Sequence, residues 1–103
     1  MADFMKILQQ AQEMQGRFQQ LQDELQQQTV TASSGGGMVT VEANGQGTVR
    51  SIKIDKSVVN PDDVEMLEDL LLVAVTEAQK KAQEAAQAEM GKLTGGLPFK
   101  LPF

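Results

Sequence analysis

Met38-Val39-Thr40-Val41-Glu42-Ala43-Asn44-Gly45-Gln46-Gly47 is the stretch that decides the fold. Its first six residues alternate apolar with polar at period two, the mark of a half-buried strand, and Asn-Gly between such runs is the strongest short hairpin signal. Thr48 to Asp55 reads as the returning strand, with Ile52 and Ile54 on one face and Ser51 and Lys53 on the other. Val49 breaks the alternation, which predicts a bulge near Arg50. Upstream, Thr29 to Ser34 is β-branched and small, and Gly35-Gly36-Gly37 joins it to Met38. The centre of the chain is therefore a small three-stranded antiparallel sheet over about residues 29–55. Such a sheet has two faces and two open edges, and is marginal unless helices or a second copy cover it.

Long helical patterns flank it. Phe4, Ile7, Ala11, Met14, Phe18, Leu21 and Leu25 are spaced 3, 4, 3, 4, 3, 4, an a/d seam separated by Gln, Glu and Asp. With Asp3 as N-cap, this predicts helix 1 over about 3–28. Three heptads with Ala11 and Met14 at the centre are short for a free zipper, so the seam is expected to pack on the second helix of the same chain. On the other side, Asn60-Pro61-Asp62-Asp63 reads as N-cap, Pro at the first helical position and carboxylates in the first turn. Helix 2 is expected from about Pro61 to Met90, with Gly91 as its stop. Its stretch Leu70-Leu71-Leu72-Val73-Ala74-Val75 is apolar all round and must be buried on every side, more than one small sheet supplies. A homodimer interface built from Leu67, Leu70, Leu71, Ala74 and Val75 is the expectation. Beyond Gly95 and Gly96, Leu97-Pro98-Phe99-Lys100-Leu101-Pro102-Phe103 is an extended tail, since two prolines forbid helix. Its two Leu and two Phe are expected to dock on the helical arms or on the other protomer.

Composition narrows the chemistry. One hundred and three residues make a single small domain, 1–103, and the chain has no Cys and no His. Disulfides, thiol nucleophiles, Cys/His zinc sites and imidazole acid–base catalysis are excluded together. Nothing points to a pocket that would raise the pKa of one carboxylate of a pair, so no enzyme is expected. No cofactor or metal site is expected either: Gly35-Gly36-Gly37 lacks the Lys-Ser/Thr and helix start of a phosphate loop, and Asp62, Asp63 and Glu65 are explained by capping and the helix dipole. A membrane span and a signal peptide are absent from the pattern, which makes the cytoplasm the default.

Net charge is -5, which taken alone argues against nucleic acid. Its distribution qualifies that. Residues 60–79 carry six acids and no base, so the remainder of the chain sums to +1. Helix 1 enters the sheet at its C-terminal end and helix 2 leaves it at its N-terminal end, so the two should run antiparallel as an arm of roughly 40–45 Å. The acidic block then lies near the sheet, with Lys6, Lys80, Lys81 and Lys92 toward the far end. Lys6 and Arg17 are eleven residues apart, about 20° around an ideal helix, as are Lys81 and Lys92; either pair can line a phosphate track. Arg50, Lys53 and Lys56 form a weaker candidate on the last strand.

This order of elements resembles the YbaB/EbfC family of bacterial nucleoid-associated proteins. The residues that carry the resemblance are Met5-Lys6 and Gln9-Gln10-Ala11-Gln12-Glu13-Met14-Gln15, the Gly36-Gly37-Met38-Val39 strand entry, Asn44-Gly45, and Ile54-Asp55. Pro61 through Leu70, with its Met66-Leu67-Glu68-Asp69-Leu70, and the closing Lys100-Leu101-Pro102-Phe103 complete it. The resemblance implies an α+β helix–sheet–helix protomer, a tweezer-like homodimer with projecting helical arms, and duplex DNA binding without strict sequence requirement. It also implies a nucleoid location and a role in nucleoid organisation or gene regulation. Lys6, Arg17, Lys80, Lys81 and Lys92 are then the candidate DNA-binding residues. The competing reading is a cytoplasmic dimeric adaptor that holds an unidentified protein partner and no DNA, which fits the acidic total directly.

Overall fold

The computed structural model describes residues 2–95, with side chains over 3–92; the tail Leu97–Phe103 lies outside them. Helix α1 (Ala2–Gln27) leads into strands β1 (Val30–Ser34), β2 (Val39–Ala43) and β3 (Val49–Ile54). A 3-10 turn at Lys56–Val58 follows, and then helix α2 (Val64–Gly95). The sheet is antiparallel throughout, in the order β1-β2-β3. The chain's longest dimension is 73 Å and its radius of gyration 19.9 Å, against about 13 Å for a compact chain of this length.

Alternation along the strands puts Ala32, Val39, Val41 and Ala43 on one face, where α2 covers them with Ala74 and Ala78. Small residues on the helix let it lie close to the sheet, so the core is thin: the largest fully buried side chains are Val39 and Val41. Two contacts fix the helix at one end of the sheet. Ser34 Oγ donates to the Leu70 carbonyl at 2.6 Å, and Gly35, at φ +61°, lets the β1–β2 turn pass where a Cβ would stand 2.8 Å from Leu70 Cδ2. At the other end Lys81 Nζ donates to the Thr31 carbonyl at 2.8 Å and Gln79 reaches the Gly47 carbonyl at 3.3 Å. Helix α2 therefore runs toward the end of the sheet at which α1 enters.

The hairpin differs in detail from the Asn-Gly pattern. Asn44 Oδ1 accepts from the Gln46 and Thr48 amides at 2.9 and 3.0 Å, and the left-handed residue is Gly47, at φ +86°. Gly45 is needed for a different reason: a Cβ there would lie 2.7 Å from the Leu25 carbonyl oxygen. Its amide donates to that oxygen at 2.7 Å. The bulge falls where the broken alternation puts it. Glu42 pairs with Ser51 and Ala43 with Val49, leaving Arg50 as the extra residue. An extra residue re-aims a side chain, and here Arg50 Nη2 donates to the Gln26 carbonyl. Gln46 Nε2 also donates to the Gln22 carbonyl, at 3.3 Å. Helix α1 has no basic residue in its own last turn, so the hairpin supplies the donors its terminal carbonyls lack. Arg50→Met is expected to cost about 1 kcal/mol, since the contact is charged but exposed, seen as a lower Tm by circular dichroism.

Helix α2 starts at Val64, later than Asn60-Pro61 suggests. Asn60 Oδ1 accepts from the Asp62 amide at 3.0 Å and its carbonyl from the Asp63 amide at 2.9 Å, which closes a turn instead of opening a helix. Asp63 takes the capping role, accepting from the Met66 amide at 3.3 Å. At the far end the helix runs through Gly91 to Gly95; one glycine in an Ala-rich helix costs only about 1 kcal/mol. Asp55 caps the 3-10 turn, and the Ser57 hydroxyl and then the Ser57 amide, both donating to its carboxylate, hold its pKa below the ordinary 3.8. A lowered carboxylate pKa stabilises the fold above the unfolded value, and that contribution disappears as pH falls through the folded value. Melting curves of the native chain and Asp55→Ala should therefore differ at neutral pH and converge in acid.

Candidate nucleic-acid interface

The arm is built from the two helices beyond the sheet. Leu21 and Leu25 are buried, and the base of the arm is a shallow cleft lined by Gln22, Leu25, Gly45, Gln46, Gln79 and Gln83. Its polar side chains are neutral amides, with no group that could transfer a proton. The 73 Å extent exceeds the roughly 48 Å that 32 residues of α2 span at 1.5 Å each. Helix α1 therefore projects away from the sheet and past the end of α2; the two helices meet at the base of the arm, and Phe18, one turn beyond Leu21, is already exposed.

The five candidate cations are not equivalent. Lys6 and Arg17 lie on one ridge of the projecting helix, about 16 Å apart along its axis, both exposed. Lys80 is exposed, and no side-chain hydrogen bond or ion pair among the described residues engages these three. Lys81, expected toward the arm tip, instead stands at the base, held on β1 by its bond to Thr31; Lys80 beside it is at the base too. Their place follows from the length of α2, whose first half spans the sheet before the arm begins. Lys92 does lie out on the arm, where it pairs with Glu89 at 3.4 Å. Arg50 anchors α1 and is not a free surface cation.

The acidic block sits where the charge pattern puts it, over the sheet and the first half of α2. Asp63, Glu65 and Asp69 rim an apolar groove floored by Met66, Leu70 and Val73. Among the described residues no group of three Asp or Glu side chains is placed to hold a metal ion, and no helix is long and apolar enough to cross a membrane.

The apolar run of α2 is less buried than its composition demands. Ala74 is fully buried against the chain's own sheet, and Leu67, Leu70, Leu71 and Val75 pack at the margin of that core. Ala74 is thus core and not surface. What remains exposed is Leu72, at 67%, and Val73. Gln79 marks the flank of α2 that faces the β2–β3 turn, and Leu72, seven residues earlier, lies about 20° from it. On the same side, Ile52 and Ile54 are exposed, although they pair with Val41 and Val39 and share their face. Helix α2 covers β1 and β2 and leaves β3 bare. Sequence reasoning missed these three residues because periodicity tells which face a strand presents, not how far across the sheet a helix reaches.

Comparison with known proteins agrees with this architecture. Residues 1–97 match the profile of the YbaB/EbfC DNA-binding family. A nucleoid-associated protein of Gemmatimonas aurantiaca is 56% identical over 103 residues, covering 98% of this chain and 99% of that protein. Another from Thermodesulfovibrio yellowstonii is 59% identical over 99 residues, 96% of this chain and 85% of that one. Among solved structures, an uncharacterized protein from Helicobacter pylori superposes with a TM-score of 0.80 at 28% identity, over 87% of this chain and 95% of that one. Helix, three-stranded sheet, helix and the sequence of nearly the whole chain lead to one assignment: the protein belongs to the YbaB/EbfC family of nucleoid-associated DNA-binding proteins.

Proposed function

We propose that the chain works as a homodimer whose projecting arms bind duplex DNA through the phosphate backbone, largely without regard to sequence, and so helps organise the nucleoid or regulate genes. The observation that carries this reading, beside membership of a DNA-binding family, is the ridge of Lys6 and Arg17 on the projecting helix, both exposed and with no side-chain partner among the described residues. Lys6 lies nineteen residues of helix, about 28 Å, from the buried base of the arm at Leu25. The acids of residues 60–79 lie over the sheet beyond that base. With a Debye length of about 8 Å at physiological ionic strength, they are screened from phosphates held at the tip. Lys6, Arg17 and Lys92 are the arm cations, with Lys80 and Lys81 as a second group at its base. Dimerisation is supported by the exposed Ile52, Ile54 and Leu72 beside the open edge of β3, a face that is costly to leave in water.

Beside the acidic total, the acid-rimmed groove at Met66, Leu70 and Val73 favours an adaptor, since it suits a basic peptide better than a phosphate backbone. Fluorescence anisotropy with several unrelated duplexes at low salt separates the two. Comparable saturable binding to all of them is expected. Absence of binding to any duplex at low salt would give the adaptor reading its place.

A further inference from the structure

Asn44 and Gly45 are each required by the structure for a separate reason. Asn44 is buried, and its Oδ1 accepts from the Gln46 and Thr48 amides at 2.9 and 3.0 Å. Gly45 is where the hairpin touches α1, with room for no Cβ and with its amide donating to the Leu25 carbonyl at 2.7 Å. Together they form the dipeptide most prone to cyclise on itself, because glycine carries no side chain to hinder the approach of its nitrogen to the asparagine side chain. The chain's other asparagine, Asn60, precedes Pro61 and lacks the N–H that the reaction uses.

The surroundings of Asn44 meet one requirement of that reaction and withhold the other. Attack at Cγ puts negative charge on Oδ1, and two backbone N–H donors already stand at the distances an oxyanion hole uses. The Gly45 nitrogen must also give up its proton and swing to Cγ. With α1 docked, that proton is committed to the Leu25 carbonyl. The joint that keeps it there is local: Gln46 Nε2 bonds Gln22, Arg50 donates to the Gln26 carbonyl, and Leu25 is buried. Beyond the joint α1 stands clear, with Phe18 already exposed. The helix can therefore leave the hairpin without unfolding the sheet.

We infer that Asn44 is a self-modification site gated by α1: the docked helix holds the Gly45 nitrogen, and its release lets that nitrogen attack Asn44 Cγ. The bond from Cγ to the Gly45 nitrogen forms, the bond from Cγ to Nδ2 breaks, and the side-chain NH2 leaves as ammonia with the proton from the Gly45 amide. Water then opens the five-membered imide, with no oxidant or reductant. Opening at the side-chain carbonyl leaves an aspartate at position 44; opening at the main-chain carbonyl leaves an isoaspartate, which lengthens the backbone by one carbon. The lengthened turn no longer returns the Gly45 amide to Leu25, so a transient release of α1 becomes permanent. This inference is independent of DNA binding.

The test is the rate of isoaspartate formation at position 44 in the full chain, read by tandem mass spectrometry. The native chain should convert roughly tenfold or more slowly than the same chain unfolded in urea. Arg50→Met, which loosens the joint and leaves the core intact, should convert about fivefold faster than native. Val58→Ala weakens the core cluster at the opposite end of the sheet and should stay within about twofold of native. Native conversion as fast as in urea, or an Arg50→Met rate equal to native, would overturn the gate. Equal acceleration by Arg50→Met and Val58→Ala would place the reaction in global unfolding and overturn it too.

Discussion

Leu72→Asp is expected to break association while Ala74→Asp prevents folding at any concentration, although the two residues are two positions apart on the same helix. Ala74 has no exposed surface and faces Val39 and Val41; an unpaired carboxylate there costs more than about 3 kcal/mol, a large share of a small domain's stability. Leu72 touches water in the protomer, so its replacement leaves the chain's own core intact. Truncating the anchor of an interface typically costs about 2–4 kcal/mol, or roughly 30- to 1000-fold in dimer dissociation. The thin core makes the protomer alone marginal, so the native Tm should rise with protein concentration. For Leu72→Asp it should be lower and flat. Light scattering that finds Leu72→Asp as dimeric as the native chain would remove β3 and its neighbours from the interface. Leu71→Asp is less informative, because Leu71 is half-buried against the sheet and its loss mixes folding with association.

Gly45→Ala should destabilise by about 2 kcal/mol or more, an unusual result for a residue in a turn. The added methyl meets backbone, at 2.7 Å from the Leu25 carbonyl oxygen and 3.0 Å from Leu25 Cα, so no side-chain rotation relieves it. The hairpin has to withdraw, and with it go the donors from Gly45, Gln46 and Arg50 that cap α1. Gly16→Ala is the matched contrast. Nothing lies within 4 Å of its added Cβ, and alanine in mid-helix gains about 0.5–1 kcal/mol over glycine. Thermal melts of the two variants should move in opposite directions. Equal shifts would mean that α1 is not anchored at the hairpin.

Much of the architecture was legible because each element carries its own period. The 3-4 seam of helix 1, the alternation at Val39, Val41 and Ala43, and the misplaced Val49 each report a local backbone geometry. All three backbone geometries are present in the structure, down to the bulge at Arg50, but the seam expected to pack on the second helix is covered only at Leu21 and Leu25, and Phe4, Ile7 and Phe18 are exposed. Tertiary facts were less accessible. Arg50 reads as a surface cation because nothing local shows that a bulge turns it onto a helix end. Leu70 to Val75 reads as one buried block, but only Ala74 is fully covered, since burial depends on how much of the sheet lies beneath the helix. Lys81 illustrates the same limit: its place on the helix is plain from sequence, and its place at the base of the arm follows only from where α2 meets β1.

The most direct test of the arm as the DNA-binding element is the salt dependence of duplex affinity, compared between the native chain and Lys6→Glu combined with Arg17→Glu. In a plot of log affinity against log salt, each phosphate neutralised contributes about -0.9 to the slope. Two cations in each of two protomers therefore account for up to about 3.6 of its magnitude. The double variant should bind all duplexes more weakly by a common factor and show a correspondingly shallower slope, with dimerisation and helix content unchanged. Lys53→Glu combined with Lys56→Glu, on the last strand and the turn after it, should change the slope less. If the arm variant kept the native affinity and slope at every salt concentration, the arm would not be the surface that holds DNA.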